Sequence, residues 1–198
     1  MIKIYGGRMG SSLRCHWMLA EAGVEYETVS LDMAAREHKS EEFLKVNPMG
    51  MVPAMVDGDF VLNESMAINE YIGLKHAPKL LGDTPEKKAD AWRWSIWSYL
   101  YIQKFTGVMA AQVLWVPEKD QEVYDKAAAD LTPYLKMLDG YLAGKEYLVG
   151  GEFTVADINA GVAVSYGVMA GFDFSNYANV KTWLEKLMAR PAYIQATK

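Results

Sequence analysis

This 198-residue chain changes character near residue 84, and that change limits what it can fold into. Before it, short apolar runs are separated by glycine and proline turns; after it, apolar residues recur only at helical spacing. Helices are expected near 85–110, 118–142, 154–170 and 179–189, with Pro and Gly only at their ends. Ahead of the change, Ile2 to Tyr5 reads as a buried strand and Gly6-Gly7-Arg8-Met9-Gly10 as a sharply turning loop. Leu13 to Ala22 reads as a helix stopped by Gly23, and Tyr26 to Leu31 as a second strand. Such a strand, helix, strand unit builds a parallel sheet. Glu41 to Leu44 forms a short helical turn, two apolar runs joined through Asp57-Gly58 form a hairpin, and Met66 to about Lys75 forms another helix. Pro53 opens the hairpin, where it cannot donate a ladder bond, so it belongs at the strand's edge or start and suits a cis peptide. The expected organisation is an α/β domain over 1–76, a linker over 77–84 and an all-helical domain over 85–198.

Charge and cysteine content exclude several kinds of partner. Twenty Lys and Arg against twenty-five Asp and Glu leave a net charge of -5, with no basic block to grip a phosphate backbone, so nucleic acid is not an expected partner. Cys15 is the only cysteine, which rules out an internal disulfide and leaves no Cys/His framework for a metal. The first residues lack the basic start and long apolar run of a signal peptide, and no stretch approaches the roughly 20 apolar residues of a membrane span. The expectation is a cytoplasmic protein with no membrane partner.

The segment from Glu37 through Asn47-Pro48-Met49-Gly50-Met51-Val52-Pro53-Ala54, followed by Asp57-Gly58 and Leu62-Asn63-Glu64-Ser65-Met66, resembles the glutathione site of cytosolic glutathione transferases, phi and theta-like members above all. Far downstream, Phe153-Thr154-Val155-Ala156-Asp157 is similar to that family's capping box: Thr154 can cap the amide three residues on while the Asp157 carboxylate reaches back. Trp183 and Arg190-Pro191 stand where the family's last helix and its terminator would be. The resemblance implies a thioredoxin-like N-terminal domain, an all-α C-terminal domain and glutathione as co-substrate. It also implies a homodimer in which the first domain of one chain faces the helical domain of the other.

The resemblance assigns the ends of the peptide. Glu64 would pair with the γ-glutamyl ammonium, and the Ser65 hydroxyl and amide would meet its carboxylate; without the upstream match the pair would read as a helix cap. The Val52 backbone beside Pro53 would form a short ladder with the cysteine unit. His38 and Lys39 fall where phi-like members hold the glycine carboxylate, although an exposed loop with both is ordinarily just solvated. Met51 replaces a polar residue of some relatives, which removes one side-chain hydrogen bond.

Activation of the thiol has three candidates. A hydroxyl donor near a helix N-terminus can lower a thiol pKa from ~8.5 by about two units. Ser11 follows the glycine loop, Ser12 is its neighbour, and Tyr5 aligns with the activating tyrosine of alpha-like members while also suiting simple packing. Cys15 would support thiol transfer through a mixed disulfide or merely pack inside its helix. The aromatic-rich stretch Trp92, Trp94, Trp97, Tyr99, Tyr101 and Phe105, with Tyr166 and Met169, offers walls for a small apolar electrophile or material for the core. Conjugation is the leading reaction; peroxidase or isomerase chemistry on the same thiolate, and a non-enzymatic scaffold, remain as alternatives.

Overall fold

The computed structural model describes residues 1–198. The chain divides into two compact units, residues 1–79 with 190–198, and residues 80–189.

In the first unit, β1 (Ile2–Tyr5), α1 (Ser12–Glu21) and β2 (Tyr26–Val29) form the expected strand, helix, strand start. A 3-10 turn (Glu37–Lys39) and the short α2 (Glu41–Val46) lead to β3 (Ala54–Asp57), β4 (Phe60–Asn63) and α3 (Ser65–His76). The sheet runs in the order β2-β1-β3-β4, with β1 parallel to β2 and antiparallel to β3. Period-two alternation puts Ile2 and Ile4 inside while Lys3 and Tyr5 stay partly exposed. In α1, by contrast, every residue from Ser12 to Leu19 is buried. Two charged or titratable side chains, Arg14 and His16, are therefore carried into the interior.

The end of the chain also belongs to this unit. Arg190-Pro191 closes one helix and starts another, α9 (Pro191–Ala196), because proline suits the first helical position, whose N–H has no intrahelical acceptor. Tyr193 stands edge-on to Trp17 with ring centroids 4.9 Å apart, and Arg190 clasps both carboxylate oxygens of Glu21 at 2.6 and 2.8 Å. The sequence expectation gave all of 85–198 to the helical domain, whereas these last residues pack with the first unit.

The second unit is wholly helical: α4 (Pro85–Ser98), α5 (Lys104–Leu114), α6 (Gln121–Leu142), α7 (Val155–Met169) and α8 (Ala178–Met188). The single helix expected over 85–110 is interrupted by a π turn at Tyr99–Gln103. Buried hydroxyls account for it: Ser95 donates to Ala91 O, Ser98 to Ser95 O, and Thr106 to both Ile102 O and Ala163 O, so side chains compete for the helix's own carbonyls. Pro133 lies inside α6, contrary to the expectation that proline would mark only helix ends. Helix α7 is buried from Val155 to Gly167 and forms the centre of the unit. The expected capping box starts it: Asp157 Oδ2 accepts the Thr154 N–H at 3.0 Å, while the Thr154 hydroxyl accepts from Ala156 N–H at 3.3 Å. Asp157 Oδ1 reaches further, accepting from Leu148 N–H and from Trp183 Nε1, both at 3.0 Å.

Candidate functional site

The site builds up from two loops of the first unit. In the β1–α1 loop, Gly6 has φ +130, and a Cβ there would lie 2.4 Å from Ser12 Oγ, so only glycine lets the strand turn into the helix this tightly. Ser12 is thereby spent on packing and is buried. Ser11, at the N-cap of α1, keeps partial exposure, and its hydroxyl donates to Val52 O at 3.4 Å. Tyr5 stands at the end of β1, its ring 5.7 Å from that of Phe43. Of the three thiol-activating candidates, the structure sets Ser11 beside the Val52 backbone.

Behind the loop lies a hydrogen-bond chain. His16 Nε2 is 3.0 Å from Gly6 O, which can only accept, so Nε2 carries the proton and Nδ1 accepts from the Tyr26 hydroxyl at 3.1 Å. Tyr26 in turn accepts from Arg8 Nη1 at 3.0 Å. Burial, the largest influence, pushes the His16 imidazole below its usual range, and the Gly6 carbonyl bond opposes that only partly.

The second loop runs from Asn47 to Pro53, and the Val52-Pro53 peptide is cis. Asn47 is fully buried; its Nδ2 donates to Met51 O at 2.7 Å, and its Oδ1 accepts from Met49 N–H and Asn63 Nδ2, both at 3.2 Å. These bonds shape the stretch just before Val52. In the sequence Asn47 stands out only as part of the matching segment and as a turn signal before Pro-Met-Gly. Lys39 Nζ donates to Met49 O and Gly50 O at 3.2 and 2.8 Å, which commits two of its three N–H groups. His38 Nδ1 is buried without a hydrogen-bond partner. Gly50, at φ +59, permits the approach, since a Cβ there would meet His38 O and Lys39 Nζ at 2.8 Å. The Met51 side chain is 60% exposed and carries no donor to replace the missing polar contact.

Glu64 and Ser65 lie at the start of α3. Glu64 has φ 71 and ψ 109, outside the regions a non-glycine residue normally occupies, and its exposed side chain makes no capping bond. Strain of this kind collects at ligand-holding positions. Ser65 is buried at the first helical position, and its Oγ accepts from Arg14 Nη1 at 3.4 Å. Cys15 is fully buried, burial pushes its thiol far up, and its Sγ donates to Ser65 O at 3.7 Å. This is a packing position rather than a reactive thiol.

The aromatic stretch of the second unit divides in two. Trp94 is buried, whereas Trp97, Tyr101, Tyr134 and Phe105 form a partly exposed ladder with successive centroids 6.2, 5.1 and 5.8 Å apart. Tyr166 is buried and Met169 exposed. No cluster of three or more His, Cys, Asp or Glu side chains is placed to hold a metal, and no helix is long and apolar enough to cross a membrane.

A four-stranded α/β unit with a cis-proline loop beside a helix N-terminus, joined to a helical unit, is the architecture of thioredoxin-like proteins that carry an added all-α domain. Residues 1–73 match the glutathione S-transferase N-terminal domain model and residues 93–191 the C-terminal domain model. A glutathione S-transferase of Hyoscyamus muticus is 34% identical, covering 98% of this chain and 97% of its own. Glutathione S-transferase 1 of Zea mays is 35% identical, with 96% and 93% covered. The solved structure of a glutathione S-transferase-I bound with lactoylglutathione superposes with a TM-score of 0.91 at 33% identity, over 99% of this chain and 98% of that one. The chain belongs to the glutathione S-transferase family.

Proposed function

We propose that the protein is a glutathione transferase that binds glutathione on the first unit, converts its thiol to thiolate and directs it at a small apolar electrophile. The Ser11–Val52 juxtaposition at 3.4 Å carries this reading. Glutathione's cysteine unit, laddered on the Val52 backbone, would bring its sulfur beside Ser11 Oγ. That hydroxyl would then turn from the carbonyl and donate to the thiolate, assisted by the positive end of α1. Glu64 supplies a carboxylate for the γ-glutamyl ammonium, and Ser65 a hydroxyl and a free amide for its carboxylate. His38 and the uncommitted N–H of Lys39 suit the glycine carboxylate. Tyr5, facing Phe43, is the rival activator, and Ser12 is too enclosed to serve.

Large apolar side chains stay exposed on both units, Phe60, Val61 and Leu74 on the first and Trp92, Ile96, Tyr99 and Leu100 on the second, which suits a two-fold dimer pairing unlike units of two chains. A single, deeply buried cysteine fits a cytoplasmic setting.

Glutathione titrated into the protein across pH, with thiolate absorbance followed in the ultraviolet, tests the reading. Wild type is expected to show thiolate down to pH 6 to 7. Ser11→Ala should lose it and about 10²-fold in kcat, while Ser12→Ala and Tyr5→Phe keep it. Loss of the signal in Tyr5→Phe alone would move the role to Tyr5, and absence of glutathione binding would leave a scaffold.

A further inference from the structure

We infer that the helical unit carries a ligand site of its own, a cavity between the end of α7 and α8 that takes a small aryl-alkyl ammonium. The cavity holds about 280 Å³ and its apolar walls are Val168, Phe172, Phe174, Leu184 and Met188. That is the lower end of the roughly 300–1,000 Å³ of small-molecule sites, room for one aromatic ring and a short arm. The walls are fixed before any ligand arrives. Gly171, at φ +72, reverses the chain after α7, its N–H donating to Val168 O and the Phe172 N–H to Gly167 O, both at 2.9 Å. Phe174 then closes on the helix backbone: a Cβ on Gly167 would stand 2.9 Å from its Cζ, so glycine is what admits the ring. Phe172 meets Phe174 edge-on with centroids 5.0 Å apart and stacks beside Tyr177 at 6.3 Å. Phe174 and Leu184 are buried, while Val168, 45% exposed, stands at the rim. Apolar walls offer water few partners, which leaves the space to an apolar group.

Charge selects among apolar ligands. Asp173, Lys181 and Glu185 border the cavity, two carboxylates against one ammonium. The Ser175 N–H and hydroxyl each donate to an Asp173 oxygen at 2.8 Å and hold that carboxyl below its usual range, with Lys181 adding to the effect, so it stays ionised. The fifteen-residue α7 contributes on the same side, since the C-terminal end of a helix carries negative potential and Val168 lies in its last turn. Aromatic rings are also favourable neighbours for a cation. The sum favours a cation over an anion. Such an ammonium has no electrophilic carbon for a thiolate to attack, so this ligand is not an acceptor substrate, and the site stands independently of the glutathione reading.

Three probes of one shape and different charge test it: phenethylamine, 2-phenylethanol and 3-phenylpropionate. Each is titrated into protein labelled with carbon-13 at the methionine methyls, with Met188 as the reporter in the wall. Phenethylamine is expected to shift the Met188 methyl and leave that of Met51, in the cis-proline loop, in place. It should bind about tenfold more tightly than 3-phenylpropionate, with 2-phenylethanol between, and salt at about 1 M should narrow the gap. Asp173→Asn should cut the preference several-fold, and Val168→Trp, which fills the rim, should abolish binding. Both positions are exposed, and the remaining methionine methyls report that the fold is kept. No shift at Met188, equal affinity for the three probes, a preference for the anion, or undiminished binding to Val168→Trp overturns the site.

Discussion

Three polar side chains, Arg8, Tyr26 and His16, brace the loop that carries Ser11, and of these only His16 titrates near neutrality. Protonation would place a donor on Nδ1 against a hydroxyl that is already receiving a bond from Arg8, and would add charge to a buried ring. The folded form therefore holds its proton less tightly than the unfolded chain, whose imidazole titrates near 6.5. Stability from this group is complete above about pH 6.5 and is lost as pH falls through the lower folded value. Urea unfolding between pH 7.5 and 5 should show that decline in wild type and a flatter profile in His16→Gln. The residue pairs that the sequence offered for the site, Val52-Pro53 and Glu64-Ser65, are each adjacent along the chain and belong to separate segments of a multi-part match. Asn47 and Arg14 were not legible, because their partners Asn63 and Ser65 lie 16 and 51 residues away.

At the scale of elements, Asp157 has the opposite pH dependence. Burial, the dominant cause, raises its pKa to about 6 against the pull of the Trp183, Thr154 and Leu148 donors. The protonated acid remains satisfiable, since the Thr154 hydroxyl 3.4 Å away can turn and accept. The sign follows from a folded pKa above the unfolded one: the contribution is greatest below about 3.8 and shrinks as pH rises through about 6. The shift corresponds to about 3 kcal/mol, so the stability difference between wild type and Asp157→Asn should fall by that order between pH 4 and 7. Chemical denaturation of both proteins checks it. The box itself was readable because its partners are three residues apart. The π turn at Tyr99–Gln103 was not readable, because apolar periodicity reports which face is buried and says nothing of hydroxyls that capture backbone carbonyls. Pro133 shows the same limit: a 22-residue helix packed along one side holds its course through a missing N–H.

For the whole molecule, the change of character at residue 84 correctly separated an α/β region from a helical one, but composition could not show where the final residues pack. Their anchor includes the Arg190–Glu21 ion pair, the Tyr193–Trp17 ring contact and the bond from Arg8 Nη1 to Ala196 O at 3.4 Å. The Glu21 side chain is only 9% exposed, so removing its cation leaves a poorly solvated carboxylate next to Trp17 Nε1, which bonds it at 2.9 Å. Arg190→Met should cost about 2 kcal/mol, measured by urea unfolding, and should weaken glutathione binding through α1, whose N-cap is Ser11. The same anchor bears on biosynthesis. A ribosome delivers the strands and α1 first, yet the aromatic partner of Trp17 emerges only after the entire helical unit has been made. Folding from the N-terminus can therefore begin the first unit early but cannot finish it: the nascent chain carries an uncovered tryptophan face through most of its synthesis.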